Sequence, residues 1–248
     1  MAQAAGGAGL AWSASALLLA RPPGGAERWQ RTNHRGRPVS LLSGPALALA
    51  AVVGADLPLA AAAAAGLGAA VVGAYDDASR DAAAKGLRGH AAALRHGRVT
   101  SGSVKVLGIA GAALLSCALT GGRRRDVLLG AGVVAGSANL VNLLDLRPGR
   151  ALKVGVAAAL ALRQPGPAAA AAVLLPGDLG ERTMLGDAGA NALGAVLGLA
   201  LVQRYPGRRE AALCVLTAAT VLSEAVSYSA IIDAVPPLRW VDRAGRRA

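Results

Sequence analysis

The stretch LPLAAAAAAGLGAAVVGAYDDASR, residues 57–80, decides the fold class, because a long apolar run ends there in two adjacent carboxylates. Its first 19 residues carry no charge, which is about the length that crosses a bilayer as a helix. The whole chain of 248 residues repeats this pattern, with 54% hydrophobic residues and a mean hydropathy of +0.46. Aromatic residues make up only 2%, so small side chains dominate and allow close packing of helices in lipid. The composition predicts an all-α, polytopic membrane helical bundle.

Nine apolar segments are predicted to form transmembrane or partly spanning helices within one integral membrane domain, residues 1–248. The segments are 4–20, 38–55, 57–75, 104–120, 127–144, 151–162, 167–177, 187–203 and 211–232. Two of them, 151–162 and 167–177, are shorter than the roughly 20 residues that cross a bilayer. These two are therefore expected to be short tilted spans or a re-entrant pair.

The basic residues predict the orientation of these helices. If all nine segments cross, the loops on one side hold 19 of the 26 Lys and Arg residues. The positive-inside rule places that side in the cytoplasm, which gives a multi-pass protein of the cell membrane with its N-terminus outside and its C-terminus cytoplasmic. This distribution accounts for the net charge of +12 without nucleic acid as a partner. Acids and amides also fall on this side, so we expect a site formed by loops 21–37, 76–105, 145–153 and 178–186.

The first motif is the carboxylate pair Asp76 and Asp77. One interpretation is a pair of interfacial caps, since charge is common at the ends of membrane helices. However, acids at a helix C-terminus face an unfavourable dipole, and adjacent like charges repel each other. The pair would suit a divalent cation or a positively charged partner.

The second motif is SANLVNLLD, residues 137–145, in which Asn139, Asn142 and Asp145 recur every third residue. This spacing keeps the three side chains on one side of a helix, within an arc of about 120°. Polar groups in an apolar segment need partners, because an unpaired one is costly in lipid. The alternative to a site is a stripe of hydrogen bonds between packed helices.

The third motif is MLGDAGANALGAVLG, residues 184–198, in which Gly186 and Gly189 flank Asp187. The start of a helix offers free backbone amides that bind phosphate. Close packing of helices through small residues also explains residues 190–198, but it does not explain Asp187.

Two basic segments, 31–45 and 85–105, allow two interpretations. Their charge is either a result of the positive-inside bias or a means of holding an anionic headgroup. The residues that would hold phosphate are His34, Arg35, Lys85 and Arg88.

In this order, the motifs make the chain resemble the polyprenyl-phosphate N-acetylhexosamine-1-phosphate transferase superfamily, which includes phospho-N-acetylmuramoyl-pentapeptide transferase. The resemblance covers about residues 31 to 200. It rests on RTNHRGRPVSLLSG before the second helix and the Asp-Asp pair after the third. It also rests on Asn-x-x-Asn-x-x-Asp at 139–145 and Gly-Asp-x-Gly at 186–189.

The resemblance implies a magnesium-dependent glycosyl-1-phosphate transferase of cell-envelope polymer synthesis, such as that of peptidoglycan. Such an enzyme moves a sugar phosphate from a UDP-sugar to polyprenyl phosphate in the membrane lipid and releases UMP. It implies Asp187 and Asp77 as Mg²⁺ ligands and Asp76 as the group that positions or deprotonates the lipid phosphate. The residues implied to bind substrate are Asn139, Asn142, Asp145, Lys85, Arg88, His34 and Arg35. A homodimer is compatible with this class.

The chain also departs from the family pattern. Pro148 stands where the family has a second Asp, and the tail has no His-rich segment, since His occurs only at 34, 90 and 96. These differences favour the main alternative, a catalytically inactive membrane scaffold that binds a lipid-linked or nucleotide ligand. A transporter is a third hypothesis, but only Glu224 and Asp56 approach the deep intramembrane position that its acids would need.

Overall fold

The computed structural model describes residues 1–79 and 100–247, which are mostly helical. The helices are α1 (Ala2–Ala20), α2 (Ser43–Gly54), α3 (Leu59–Ala78), α4 (Ser101–Leu119), α5 (Arg124–Leu144), α6 (Arg150–Ala161), α7 (Pro165–Leu179), α8 (Gly186–Arg204), α9 (Arg209–Ala225), α10 (Tyr228–Ala234) and α11 (Pro236–Arg243). Short 3₁₀ helices span Ala26–Trp29 and Pro206–Arg208, and a hairpin is formed by β1 (Gln30–Thr32) and β2 (Pro38–Ser40). The all-α prediction is confirmed for the described residues.

Three of these helices, α3, α4 and α5, are long and apolar enough to cross a membrane. A fourth crossing is possible if the bent pair of residues 206–225 and 228–234, which turns by 91°, acts as one span. This is consistent with a membrane protein. The nine crossings expected from the sequence go beyond this set, and α6, with 12 residues, is too short to cross alone.

The boundaries of several expected segments were wrong. Segment 38–55 begins as strand β2, because residues 38–40 pair with β1. The backbone of Ser40 also pairs with the chain that precedes α8: its N–H donates to Arg182 and its carbonyl accepts from Met184. Segment 211–232 is interrupted where Val226 takes an extended conformation. The expected loop 76–105 is shorter at both ends, since α3 continues to Ala78 and α4 begins at Ser101.

Helix α8 lies at the centre of the bundle, where it packs against α2, α3 and α5. Of its 19 residues, 15 are buried, which is typical of a helix with neighbours on all sides. Close approach requires small residues: a Cβ added to Gly73 of α3 would overlap the backbone carbonyl of Asp187. The glycine therefore lets the end of α3 lie directly against the start of α8.

Candidate functional site

Asp77 binds the first turn of α8. Its two carboxylate oxygens accept hydrogen bonds from the backbone N–H groups of Asp187, at 3.2 Å, and Ala188, at 3.1 Å. These amides have no partner within their own helix, and the positive end of the helix dipole favours a carboxylate there. Gly186 precedes them with φ +60°, and a Cβ at this residue would lie 2.8 Å from Asp77 Oδ2. Asp77 is thus the cap that fixes α8 against α3.

Asp76 and Asp187 converge on one cation, the ammonium group of Lys105. Lys105 Nζ lies 3.3 Å from Asp76 Oδ2 and forms a closer ion pair with Asp187 Oδ2. The three side chains are only 18%, 21% and 24% exposed for Lys105, Asp76 and Asp187, so the charges are partly shielded from water. Two carboxylates from different helices therefore share a single position for positive charge.

Asn142 completes this cluster from α5. With its amide oriented to satisfy both neighbours, it donates to Asp187 Oδ1 at 2.8 Å and accepts from Lys105 Nζ at 3.0 Å. Asn139 does not join it, because its amide donates to Thr220 of α9 at 3.0 Å. Each step of three residues turns a helix by about 60°, so the stripe divides between two neighbouring helices.

Asp145 lies between the cluster and a cavity of about 220 Å³ that is also lined by Asp178, His34 and Arg147. Its carboxylate is buried, and Oδ2 has no partner among the described residues. Burial, with the negative charges of Asp178, Asp187 and Asp77, raises the pKa of Asp145 well above its usual range, although a hydrogen bond from Gly186 opposes this. A buried carboxyl with a free oxygen is available to a proton, a cation or a ligand.

Among the expected phosphate-binding residues, Arg35 is already paired. It lies 3.1 Å from Glu181, whose side chain also accepts from Asn33 at 2.7 Å. His34 is exposed and borders the cavity. Lys85 and Arg88 lie outside the described residues, so their predicted role stays a prediction.

Sequence reasoning missed Lys105 because it was assigned to a loop. The signal was present in TSGSVK, since Thr100 accepts from the backbone N–H of Ser103 at 3.2 Å and caps α4 just before the lysine. Asn191 was missed as well; it lies one turn beyond Asp187, is fully buried, and neither polar atom of its amide has a partner among the described residues.

The donor atoms fit the magnesium that the resemblance implies. Within residues 1–79 and 100–247, no group of three or more His, Cys, Asp or Glu side chains forms a ready metal cage. Mg²⁺ does not need one, because it is held through one or two carboxylates together with substrate phosphates and water. Asp76 and Asp187 supply two such carboxylates, and a metal ion there would take the place of the Lys105 ammonium that pairs with both. Both oxygens of Asp77 instead accept hydrogen bonds from the backbone of α8.

Comparison of the chain with protein-family models, with curated proteins and with solved structures found no match.

Removing the charge of Lys105 tests whether its ammonium group lies where a metal ion would bind between the carboxylates of Asp76 and Asp187. In Lys105→Met the two carboxylates lose their shared counter-charge, so we expect the free energy of unfolding to fall by about 1–3 kcal/mol in metal-free buffer. This is less than the loss for a fully buried ion pair, because the three side chains are partly exposed. Millimolar Mg²⁺ is expected to restore more stability to this variant than it adds to the wild type. Thermal unfolding in detergent, with and without Mg²⁺, measures both effects.

The double variant Lys105→Met/Asp187→Asn is the control, and it should lose the response to Mg²⁺. An equal response to Mg²⁺ in the wild type and in Lys105→Met would contradict a shared cation position.

Asp178 is expected to make stability depend on pH. Burial raises the pKa of Asp178 to about 6, against the opposing hydrogen bond from Gly149 and the charge of Arg246. The folded state therefore binds this proton more tightly than the unfolded chain does. The stabilisation of the folded state by the bound proton is complete below about pH 4 and is lost as the pH rises through about 6. Relative to Asp178→Asn, the free energy of unfolding of the wild type should fall by on the order of 2 kcal/mol over that pH range.

The measurement is thermal unfolding of both proteins from pH 4 to 7. Asp145 remains in both proteins, but its pKa depends on the charge of Asp178, so the difference between the two curves reports the titration of Asp178 together with its effect on Asp145. A difference that stays constant with pH would show that this carboxyl does not titrate as its burial predicts.

Proposed function

We propose that the chain is a membrane glycosyl-1-phosphate transferase that moves a sugar phosphate from a UDP-sugar to polyprenyl phosphate. The observation that carries the proposal is the convergence of Asp76 and Asp187 on one cation position at the start of α8. The order of motifs that resembles the transferase superfamily supports the same assignment.

The position of the cluster relative to the apolar helices also supports the proposal. Asp76 is near the end of α3, Lys105 near the start of α4 and Asn142 near the end of α5. Within residues 1–79 and 100–247, these three helices are long and apolar enough to cross a membrane. A site at one common end of three spans lies near the membrane surface, where a lipid phosphate and a soluble nucleotide can meet. We assign this end to the cytoplasmic side from the distribution of Lys and Arg.

In the proposed reaction, an oxygen of polyprenyl phosphate attacks the β-phosphorus of the UDP-sugar. A new phosphoanhydride bond forms, the bond from the β-phosphorus to the bridging oxygen breaks, and UMP leaves with that oxygen and its electron pair. Bound Mg²⁺ would neutralise negative charge on the diphosphate oxygens. Positioning and charge neutralisation are the main sources of rate in phosphoryl transfer.

Four residues at the start of α8 have a proposed task in this reaction. Asp76 and Asp187 hold the cation, and Asn142 orients the carboxylate of Asp187. Asp77 keeps the first turn of α8 in place through its two backbone hydrogen bonds, and so acts as a positioning residue. A lipid phosphate is largely ionised at neutral pH, so it needs little help from a base.

The experiment uses the full chain purified in detergent with polyprenyl phosphate, Mg²⁺ and a panel of UDP-sugars. Release of UMP is followed for each sugar nucleotide, and the reaction is repeated with a chelator in place of Mg²⁺. UMP release that requires both the lipid phosphate and Mg²⁺ supports the proposal. UMP release that continues without the lipid would reject it.

A second candidate is a catalytically inactive scaffold that binds a lipid-linked or nucleotide ligand. The observation that favours it is Lys105, whose ammonium already balances the two carboxylates. If a UDP-sugar binds to the protein while no member of the panel yields UMP, the scaffold is the better description.

A further inference from the structure

A second cavity, of about 440 Å³, is strongly basic. It lies where the chain between α5 and α6 meets the C-terminal segment and the turn of the hairpin. Six arginines line it against two aspartates, Asp233 and Asp242, which leaves a net charge of +4. The arginines are Arg35, Arg147, Arg150, Arg243, Arg246 and Arg247. We call this the basic cavity.

The internal ion pairs do not use all of this positive charge. Asp242 accepts from Arg150 at 2.8 Å and from Arg246 at 2.5 Å, and Asp233 pairs with Arg243 at 3.1 Å. Within the part of the chain that the structure describes, Arg147 and Arg247 take part in no ion pair between side chains. Arg147 and Arg247 therefore line the cavity without a carboxylate partner among the side chains that the structure describes.

Hydrogen bonds and a buried ion pair connect the walls of the basic cavity. Lys153 donates to the backbone carbonyls of Val241, Asp242 and Ala244 at 2.7–2.9 Å, which ties the C-terminal segment to α6. Arg246 Nε donates to the carbonyl of Pro148 at 2.9 Å, and the pair of Arg150 and Asp242 is almost fully buried. These contacts hold Arg150, Arg246 and the backbone of the tail in place, so the frame of the cavity needs little ordering when an anion binds.

The crowding of positive charge in the basic cavity affects the pKa of neighbouring groups. His34 is exposed, but partial shielding of its imidazole from water, together with the charge of Arg147, lowers its pKa. Burial and the charges of Arg150 and Arg147 also lower the pKa of Arg246, in spite of Asp242. An anion in the cavity would relieve this repulsion.

We propose that the basic cavity is a binding site for a phosphate group. Guanidinium groups match phosphate geometry, because their planar donors bind two oxygens at once. The basic cavity shares His34 and Arg147 with the cavity that Asp145 lines, so a bound phosphate would lie beside that cavity. This inference goes beyond the proposed transferase activity, since phosphate binding here does not depend on whether transfer occurs.

Binding of inorganic pyrophosphate to the full chain in neutral-lipid nanodiscs tests the proposal by calorimetry. Chelator is present throughout, so that a metal-dependent site does not contribute. A single variant, Arg147→Gln or Arg247→Gln, removes one charge-assisted contact and should weaken pyrophosphate binding about tenfold. The double variant Arg147→Gln/Arg247→Gln should weaken it about a hundredfold. Arg147→Lys should retain part of the affinity, and Arg208→Gln, a change at an exposed arginine between α8 and α9, should retain all of it.

Two sources of phosphate, a soluble nucleotide and a lipid headgroup, are distinguished by repeating the titration in nanodiscs with phosphatidylglycerol. Unchanged affinity assigns the site to soluble phosphates. Competition by the anionic lipid in the wild type, lost in the double variant, assigns it to a headgroup. The proposal is overturned if the wild type does not bind pyrophosphate, or if the double variant binds it as tightly while its thermal unfolding is unchanged. Because no UMP is measured, failure here is separate from failure of the transferase assay.

Discussion

Asp187→Asn is expected to reduce UMP release by about a hundredfold to a thousandfold, the range seen when one electrostatic contact to a transition state is removed. Asparagine keeps the size of the side chain, but it removes one of the two charges that converge on the cation position. The remaining carboxylate of Asp76 would bind Mg²⁺ more weakly, so activity should also require a higher Mg²⁺ concentration. Initial rates over a series of Mg²⁺ concentrations measure both effects.

Asp56→Asn is the matched control, because Asp56 is an exposed acid in the turn before α3, at the opposite end of that helix from Asp76. It should leave the rate unchanged. An Asp187→Asn protein that folds and retains the wild-type rate would remove Asp187 from the cation site.

Gly73→Val is expected to reduce both stability and activity, because the added side chain would overlap the backbone carbonyl of Asp187. Overpacking of this kind typically costs about 1–3 kcal/mol. The shift would also separate the carboxylate of Asp77 from the amides of Asp187 and Ala188, since Gly73 and Asp77 are one turn apart on α3. UMP release should therefore fall more than tenfold, a loss of the size expected for a misplaced site.

Gly111→Val provides the comparison for this substitution. Gly111 lies within α4, and a Cβ there would meet nothing within 4 Å. The same change of residue type should thus be tolerated, with unchanged UMP release and nearly unchanged thermal unfolding. Equal behaviour of the two variants would show that the close approach of α3 and α8 does not control the site.

The cluster explains why two acids stand at the unfavourable end of α3. Asp77 faces the positive start of another helix, so it meets the favourable end of the α8 dipole rather than only the unfavourable end of its own. Asp76 faces an ammonium group that also binds Asp187. The two adjacent carboxylates therefore have different partners, which reduces the repulsion between them.

Several features of the fold and site were predictable from local sequence. Apolar runs predicted the helices that contain residues 59–78, 101–119 and 124–144, since periodicity and length depend on nearby residues only. The motifs also singled out Asp76, Asp77 and Asp187, and the structure brings these three acids together at the start of α8. Helix ends were less accurate, because α3 continues past its first charged residues and α4 begins at the Thr100 cap.

The division of tasks within the site was not predictable in this way. The i, i+3 spacing of Asn139 and Asn142 predicted a single polar face, yet the first contacts α9 and the second contacts Asp187. Spacing gives the angle between two side chains on a helix, but the neighbouring helix on each side decides what they meet.

By itself, the sequence determined an all-α chain, the apolar helices and the small set of acids and amides that interrupt them, because these follow from composition and short-range periodicity. Only the tertiary structure decided that Asp77 caps α8, that Lys105 joins Asp76 to Asp187, and that the arginines of the tail meet those of the α5–α6 connection. Lys105 and Asp187 are 82 residues apart, and Asp77 and Ala188 are 111 apart. Contacts over such separations depend on how closely the helices pack, and that is set by glycines such as Gly73 in combination with the helix opposite them.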